Sequence, residues 1–272
     1  MTSSPFSIPS RVALGAALAA GLAWGTINAL NPPPTTQVLA KSANLTLEGI
    51  RESGGVRSDL IPLPPPRVED PGQRKALFIV AMLPLIMREN LRIERQRASA
   101  ESAPEGSPRF SALAYGYGLH PNVARATLLE RIDIVPASLA LAQGAIESAW
   151  GTSRFAREGN AYFGERTYDE ERAGLTPKES KNAVASFKVK SFARAHLSVR
   201  SFMRTLNTHP AYRALRAQRA ALRARGQRPT GLALAPFLQG YSEIGTPYVR
   251  RVIAIIEHNR LDEFEGLRFV DE

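Results

Sequence analysis

The segment from Val135 to Thr152, VPASLALAQGAIESAWGT, constrains this chain more than any other. Pro136 stands at a first-turn position, and the residues after it are apolar nearly all round. That pattern predicts a buried helix over 136–150, enclosed by other elements on every side. Yet Glu147 falls in its last turn, with Ile146 before it and Trp150 three residues on. A buried carboxylate is unfavourable unless it is paired or protonated. Burial and the partial negative charge of a helix C-terminus both push its pKa upward. A carboxylic acid kept protonated near neutral pH is the group that protonates the leaving oxygen of a sugar. A Glu at a helix end also fits a plain solvated position, so the motif needs support from the rest of the chain. Gly151 is suited to close the helix in the left-handed conformation.

Around this segment the sequence reads as mostly helical. From about Pro71, Leu77, Val80, Leu83, Met87 and Leu91 recur at spacings of three and four, with Pro84 as an expected kink. Residues 99–109 read as a loop, 110–132 as one or two short helices, and SFKVK over 186–190 as a short strand. Helical periodicity resumes over 192–207, 210–224, 232–239 and 246–260. The fold class expected is mostly α (α+β), with a small β element.

The N-terminus has a different character. Residues 12–30 carry no charge and follow Arg11, which predicts a signal peptide or an N-terminal membrane anchor over 1–30. Residues 31–67 contain Pro32–Pro34 and Pro64–Pro66 and read as a Pro-rich linker. The domain is then expected over 68–272, with its catalytic core at about 125–262. A segment of this kind implies an envelope, periplasmic-side location, with membrane contact through residues 1–30.

Composition narrows the chemistry. The absence of cysteine excludes a disulfide scaffold and any thiolate metal site. His120, His196, His209 and His258 show no metal-ligand spacing, and no phosphate-binding glycine loop or Ser/His/Asp order is present, so no metal and no cofactor are expected. The formal charge of +10 suits an anionic partner. Residues 209–230 carry six arginines and no acid. Arg213, Arg216, Arg219 and Arg223 share one helix face, which reads as a solvated surface or a contact with anionic wall or lipid. With no nucleic-acid motif in the chain, nucleic acid is not expected as a partner.

Four segments in order carry a family resemblance. ESAWGTS (Glu147–Ser153) is similar to the E-S-G/A-W-G-x-S signature of bacterial peptidoglycan glucosaminidases, family 73 of the glycoside hydrolases. GNAYFG (Gly159–Gly164) is similar to that family's N-x-F-G segment. LNTHPAY (Leu206–Tyr212) and GYSEIGTPYVRRV (Gly240–Val252) are similar to its later segments. LLERIDIVPASLALAQGAIESAWGTS (Leu128–Ser153) and LNTHPAYRALR (Leu206–Arg216) resemble the Bax-type subgroup in particular. The resemblance covers roughly residues 70–260.

It implies a lysozyme-like helical domain with a small β element beside the substrate groove, and cleavage of the β-1,4 bond after N-acetylglucosamine in peptidoglycan glycan strands. By position it implies Glu147 as general acid and Tyr241 as the tyrosine that lines the site. Trp150, Asn160 and Phe163 match groove residues, and Tyr248 is a further substrate-binding candidate. Aromatic planes stack on the apolar faces of sugars, although Phe163 and Tyr248 fit core packing equally well. A second carboxylate would come from the acids after the N-x-F-G segment, with Glu165 and Glu179 ahead of Asp169, Glu170 and Glu171. If none serves, the acetamido group of the substrate can take that part. Two other functions fit the same residues: a lytic transglycosylase of this fold, and a non-catalytic wall-binding module.

Overall fold

A computed structural model describes residues 46–57, 63, 68–177, 187–241 and 245–270. The signal or anchor segment, most of the linker, and Glu179 lie outside the described residues.

The helix Ala137–Ser148 is the centre of the fold, and ten of its twelve residues are buried. Pro136 is its N-cap rather than its first residue. Glu265 closes that end. Its carboxylate accepts from Ala137 N at 3.2 Å, Ser138 Oγ at 2.5 Å and Gly231 N at 3.1 Å. A carboxylate suits the positive end of a helix dipole. Around the central helix pack the long helix Pro71–Ser102, the helix Thr246–His258, the short helix Gly231–Leu234 and the turn Leu261–Phe264. This mostly α architecture is the one the periodicity implies.

The long helix starts where Asp70 Oδ1 accepts from Gln73 N at 2.7 Å, with Pro71 at its first position. It runs through Pro84 as one helix of 32 residues. The missing N–H is tolerated because the flanking turns are buried against the central helix and the helix Ala195–Thr208, which hold the backbone in place. The loop expected over 99–109 shrinks to 103–107, because the next helix begins at Pro108, capped by Ser107.

Two stretches depart from the expected boundaries. Residues 46–53 form a helix, and Gly55–Val56 pair in parallel with Arg268–Phe269. Leu47, Ile50 and Val56 are buried in the main core. The folded part therefore reaches back into the stretch assigned to the linker. The β element is a three-stranded antiparallel sheet, with Lys188–Lys190 between Arg166–Thr167 and Gly174–Leu175. The expected strand over 186–190 is thus present in its last three residues.

The basic helix, Arg213–Ala224, corrects the sequence reading. Its arginine face points inward. Arg219 is fully buried and Arg216 nearly so. Arg219 donates to the carbonyls of Glu130, Asp133 and Ile134 and to Asn207 Oδ1. Arg216 donates to the carbonyls of Leu206 and His209. Arg223 grips the carboxylate of buried Asp133 at 2.8 and 2.6 Å. Only Arg213 is exposed. Arginine serves here because five donors on one planar group can satisfy several carbonyls at once, and two of them, Asp133 and Ile134, lie in a loop that has no secondary structure of its own. That loop, residues 132–136, leads directly into the central helix. Among the described residues, no helix is long and apolar enough to cross a membrane.

Candidate active site

The chain turns out of the central helix through three consecutive left-handed residues, Ala149 (φ 51°), Trp150 (φ 58°) and Gly151 (φ 77°). The left-handed closure thus starts two residues before Gly151. Ser148 holds the turn: its hydroxyl donates to Gly144 O at 2.5 Å and accepts from Gly151 N at 2.8 Å. Ser153 then caps the next helix, Arg154–Gly159, by accepting from Ala156 N at 3.2 Å. Each polar residue of ESAWGTS other than Glu147 thus serves the turn, Thr152 included, through Ala149 O at 2.7 Å. Glu147 is left without such a role.

The helix Arg154–Gly159 ends at Asn160, itself left-handed (φ 50°). The Asn160 amide donates to Phe192 O at 2.9 Å and ties this turn to the chain leaving the sheet. From there the backbone carries Phe163 and Gly164 back to the acid. Gly164 has φ +62°, and a Cβ on it would lie 2.8 Å from Glu147 Oε2. The Glu147 carboxylate therefore lies close against a backbone with no side chain, and a side chain there would both strain the backbone and displace the carboxylate.

Glu147 is half-buried. Burial raises its pKa above the usual carboxylate range, while the nearby Tyr248 hydroxyl and the charges of Arg251 and Arg166 pull the other way. Behind it sits a cluster of aromatic rings. Tyr241 stacks on Tyr248 (centroids 5.3 Å apart, 16° between planes) and leans on Tyr212 at 6.1 Å. Phe163 stacks on Phe202 at 4.0 Å. The Tyr241 hydroxyl donates to Phe163 O at 2.9 Å, so it braces the backbone one residue before Gly164. Burial raises the pKa of Tyr241, Tyr248 and Tyr212, the last to about 12, and the nearby negative charge of Glu147 adds to each.

Phe163 and Tyr248 are 2% and 3% exposed, so both are core residues and neither offers a free face to a sugar. Trp150 is half-buried. One face carries Lys75 Nζ at 5.4 Å, and Phe78 meets it edge-on at 5.7 Å.

Glu165 follows Gly164 directly and enters the sheet. Its carboxylate is held by Lys190 Nζ at 3.1 Å, Ser201 Oγ at 2.5 Å and Thr205 Oγ1 at 3.4 Å. Its charge, like that of Glu147, acts on Tyr212 and Tyr241. Both carboxylates therefore act on the same pair of tyrosines.

Three residues escaped the sequence reading. Tyr212 lies in the LNTHPAY segment but was not singled out. Gly164 shows its role only through its backbone angle. Gln143, fully buried, donates through Nε2 to the Tyr248 hydroxyl at 3.1 Å. A polar residue one turn before Glu147 in an otherwise apolar helix was the signal available.

A half-buried acid at the end of an enclosed helix, pressed on glycine and beside a small sheet, is a candidate site suited to glycosidase chemistry on a mostly α domain. Residues 124–261 match the Glucosaminidase family, described as mannosyl-glycoprotein endo-β-N-acetylglucosaminidase, and the chain belongs to this family. Protein bax of Escherichia coli (strain K12) is 32% identical over 202 residues, which cover 69% of this chain and 70% of that protein. The catalytic domain of the autolysin Auto from Listeria monocytogenes is 18% identical. It aligns over 66% of this chain and 88% of that domain, with a TM-score of 0.36.

Proposed function

We propose that this protein hydrolyses peptidoglycan at the cell envelope by cutting the β-1,4 bond after N-acetylglucosamine, with Glu147 as general acid. The observation that carries the reading is the Glu147 carboxyl, raised by burial and pressed against Gly164 at an edge that remains half open. A carboxyl whose pKa is raised holds its proton more readily than an ordinary Glu and can give it to the departing oxygen. Tyr241 holds the Phe163–Gly164 backbone on which that carboxylate rests. Glu165, ion-paired to Lys190, supplies the negative charge for the sugar cation that develops as the bond breaks. Glu179 is the other candidate for that part.

The site is tested by digesting purified peptidoglycan, reducing the products with borohydride and identifying the reduced sugar. Reduced N-acetylglucosamine supports the reading. Reduced N-acetylmuramic acid would move the cut to the other bond. Anhydro ends, lighter by one water, would make the protein a transglycosylase. The envelope location follows from the uncharged segment 12–30, and fractionation of cells with and without that segment checks it.

A further inference from the structure

The far end of the central helix borders a cavity that the reading of Glu147 does not use. Its volume is about 750 Å³, within the range of cavities that hold small ligands. Buried Met87, Ile134 and Phe264 form its floor, and exposed Glu94, Arg95, Arg228 and Arg268 form its rim. Ala137, the first residue of the central helix, also lines it. A helix rises about 1.5 Å per residue, so about 15 Å of helix separates Ala137 from Glu147. Two further charged residues line the cavity, and both are engaged elsewhere. Arg223 grips Asp133, and Glu265 caps the central helix. The four rim charges are not engaged: among the described residues, none of Glu94, Arg95, Arg228 and Arg268 has an ion pair. The three arginines come from separate elements, the helix Pro71–Ser102, the loop after the basic helix, and the strand Arg268–Phe269. The Arg228 guanidinium lies against the backbone of Gly266 (φ +78°), where a Cβ would overlap it. Like charges gathered at one opening without partners draw in an anion.

We infer that this cavity is a second substrate subsite, which holds an acidic stem peptide of the cell wall while Glu147 acts on the glycan. This rests on the reading of peptidoglycan as the substrate. The ligand is a short peptide with several carboxylates and one amine. Arginine presents a planar fork that meets a carboxylate through two parallel hydrogen bonds, and three such forks suit a peptide with more than one carboxylate. Glu94 is the one unengaged acid among the charged lining residues, and it suits the amine. The apolar floor accepts the methyl and methylene groups between them. A bare phosphate would leave Glu94 facing a like charge, which is unfavourable at short range. At about 15 Å of helix from the acid, the bound peptide lies away from the bond being cut. Its binding is the same before and during the chemical step, so the subsite acts on KM rather than kcat.

The test titrates the protein with the free stem tetrapeptide that an amidase releases from purified peptidoglycan. Backbone NMR signals should shift at Gly226 and Gly266, which line the cavity, and stay in place at Gly164 beside the acid. Methyl esters on the peptide carboxylates should abolish the shifts. Acetylating the amine should weaken binding about threefold, a loss that Glu94→Gln removes. Arg95→Gln combined with Arg268→Gln should weaken binding about tenfold and move Tm by no more than about 2 °C, because both side chains are exposed. Arg228→Gln alone should weaken binding about threefold and is the second variant, should the double one melt early. In turnover, the double variant should raise KM about tenfold on peptide-bearing strands and leave KM within about twofold on peptide-free strands. No shift at Gly226 and Gly266, equal binding by the arginine variants, binding blind to esterification, or inorganic phosphate held as tightly as the peptide overturns the inference. Peptide binding at the cavity by a protein that cleaves no peptidoglycan overturns the proposed function and leaves the subsite standing.

Discussion

Replacing Gly164 with alanine separates the stability of the turn from the placement of the acid. The new Cβ would meet Glu147 Oε2 at 2.8 Å. Ordinary contact lies at about 3.5 Å, so the carboxylate must retreat by roughly 0.5 Å or more. The carboxylate is the mobile end of a side chain, so the move itself is cheap in stability. The larger stability term is the backbone: alanine at φ +62° costs about 1–2 kcal/mol. For a domain of this size that lowers Tm by roughly 2–4 °C per kcal/mol. Activity should suffer far more, because a displacement of about 1 Å at a reacting group can cost about 100-fold. Gly106→Ala is the control, since Gly106 also has positive φ (+75°) but nothing lies within 4 Å of its Cβ position. Both variants should lose similar stability in thermal melts, and only Gly164→Ala should lose kcat on peptidoglycan. Equal activity of the two would refute the claim that Gly164 exists to seat Glu147.

Other outcomes follow from the same geometry. Glu147 is raised in the folded state, so the fold binds its proton more tightly than the unfolded chain and loses stability as pH climbs past the ordinary Glu range. Glu147→Gln should therefore melt higher than wild type at neutral pH, and the gap should close in acid. Asp133 behaves oppositely. Burial alone would push it up, but Arg223, Arg219 and Arg97 hold it below the usual carboxylate range. The stability difference between wild type and Asp133→Asn should be full above about pH 4 and fade below it in urea titrations. Arg219→Met leaves Asp133 and three carbonyls short of a donor and should cost about 3–5 kcal/mol in denaturant unfolding. Ala149→Gly relieves a left-handed alanine (φ 51°) and should stabilise by up to about 1 kcal/mol, read as a raised Tm.

The sequence showed the centre of this fold better than its edges. The all-round apolar pattern of 137–148 requires burial, and the structure buries ten of its twelve residues. The single acid in its last turn was legible because it contradicts its surroundings. Arg213, Arg216, Arg219 and Arg223 misled for a definite reason. A helical stripe of arginines has the same pattern whether it meets water or a run of backbone carbonyls, and only the loop 132–136 packed against it decides. Residues 46–56 were read as linker by composition, but Leu47, Ile50 and Val56 have partners in the core and in the strand Arg268–Phe269, distant in sequence. Phe163 and Tyr248 belong to the same class of ambiguity, since an aromatic looks alike in a groove and in a core. The role of Gly164 depends on a backbone angle that no composition rule reveals.

The central claim is that Glu147 is the acid that breaks the glycosidic bond. Purified peptidoglycan digested in parallel with wild type and Glu147→Gln, with soluble fragments quantified by mass spectrometry, tests it directly. The account predicts hydrolytic fragments ending in N-acetylglucosamine from wild type, and release about a thousandfold lower from a variant that is folded and at least as stable. Equal release by the two proteins would contradict it.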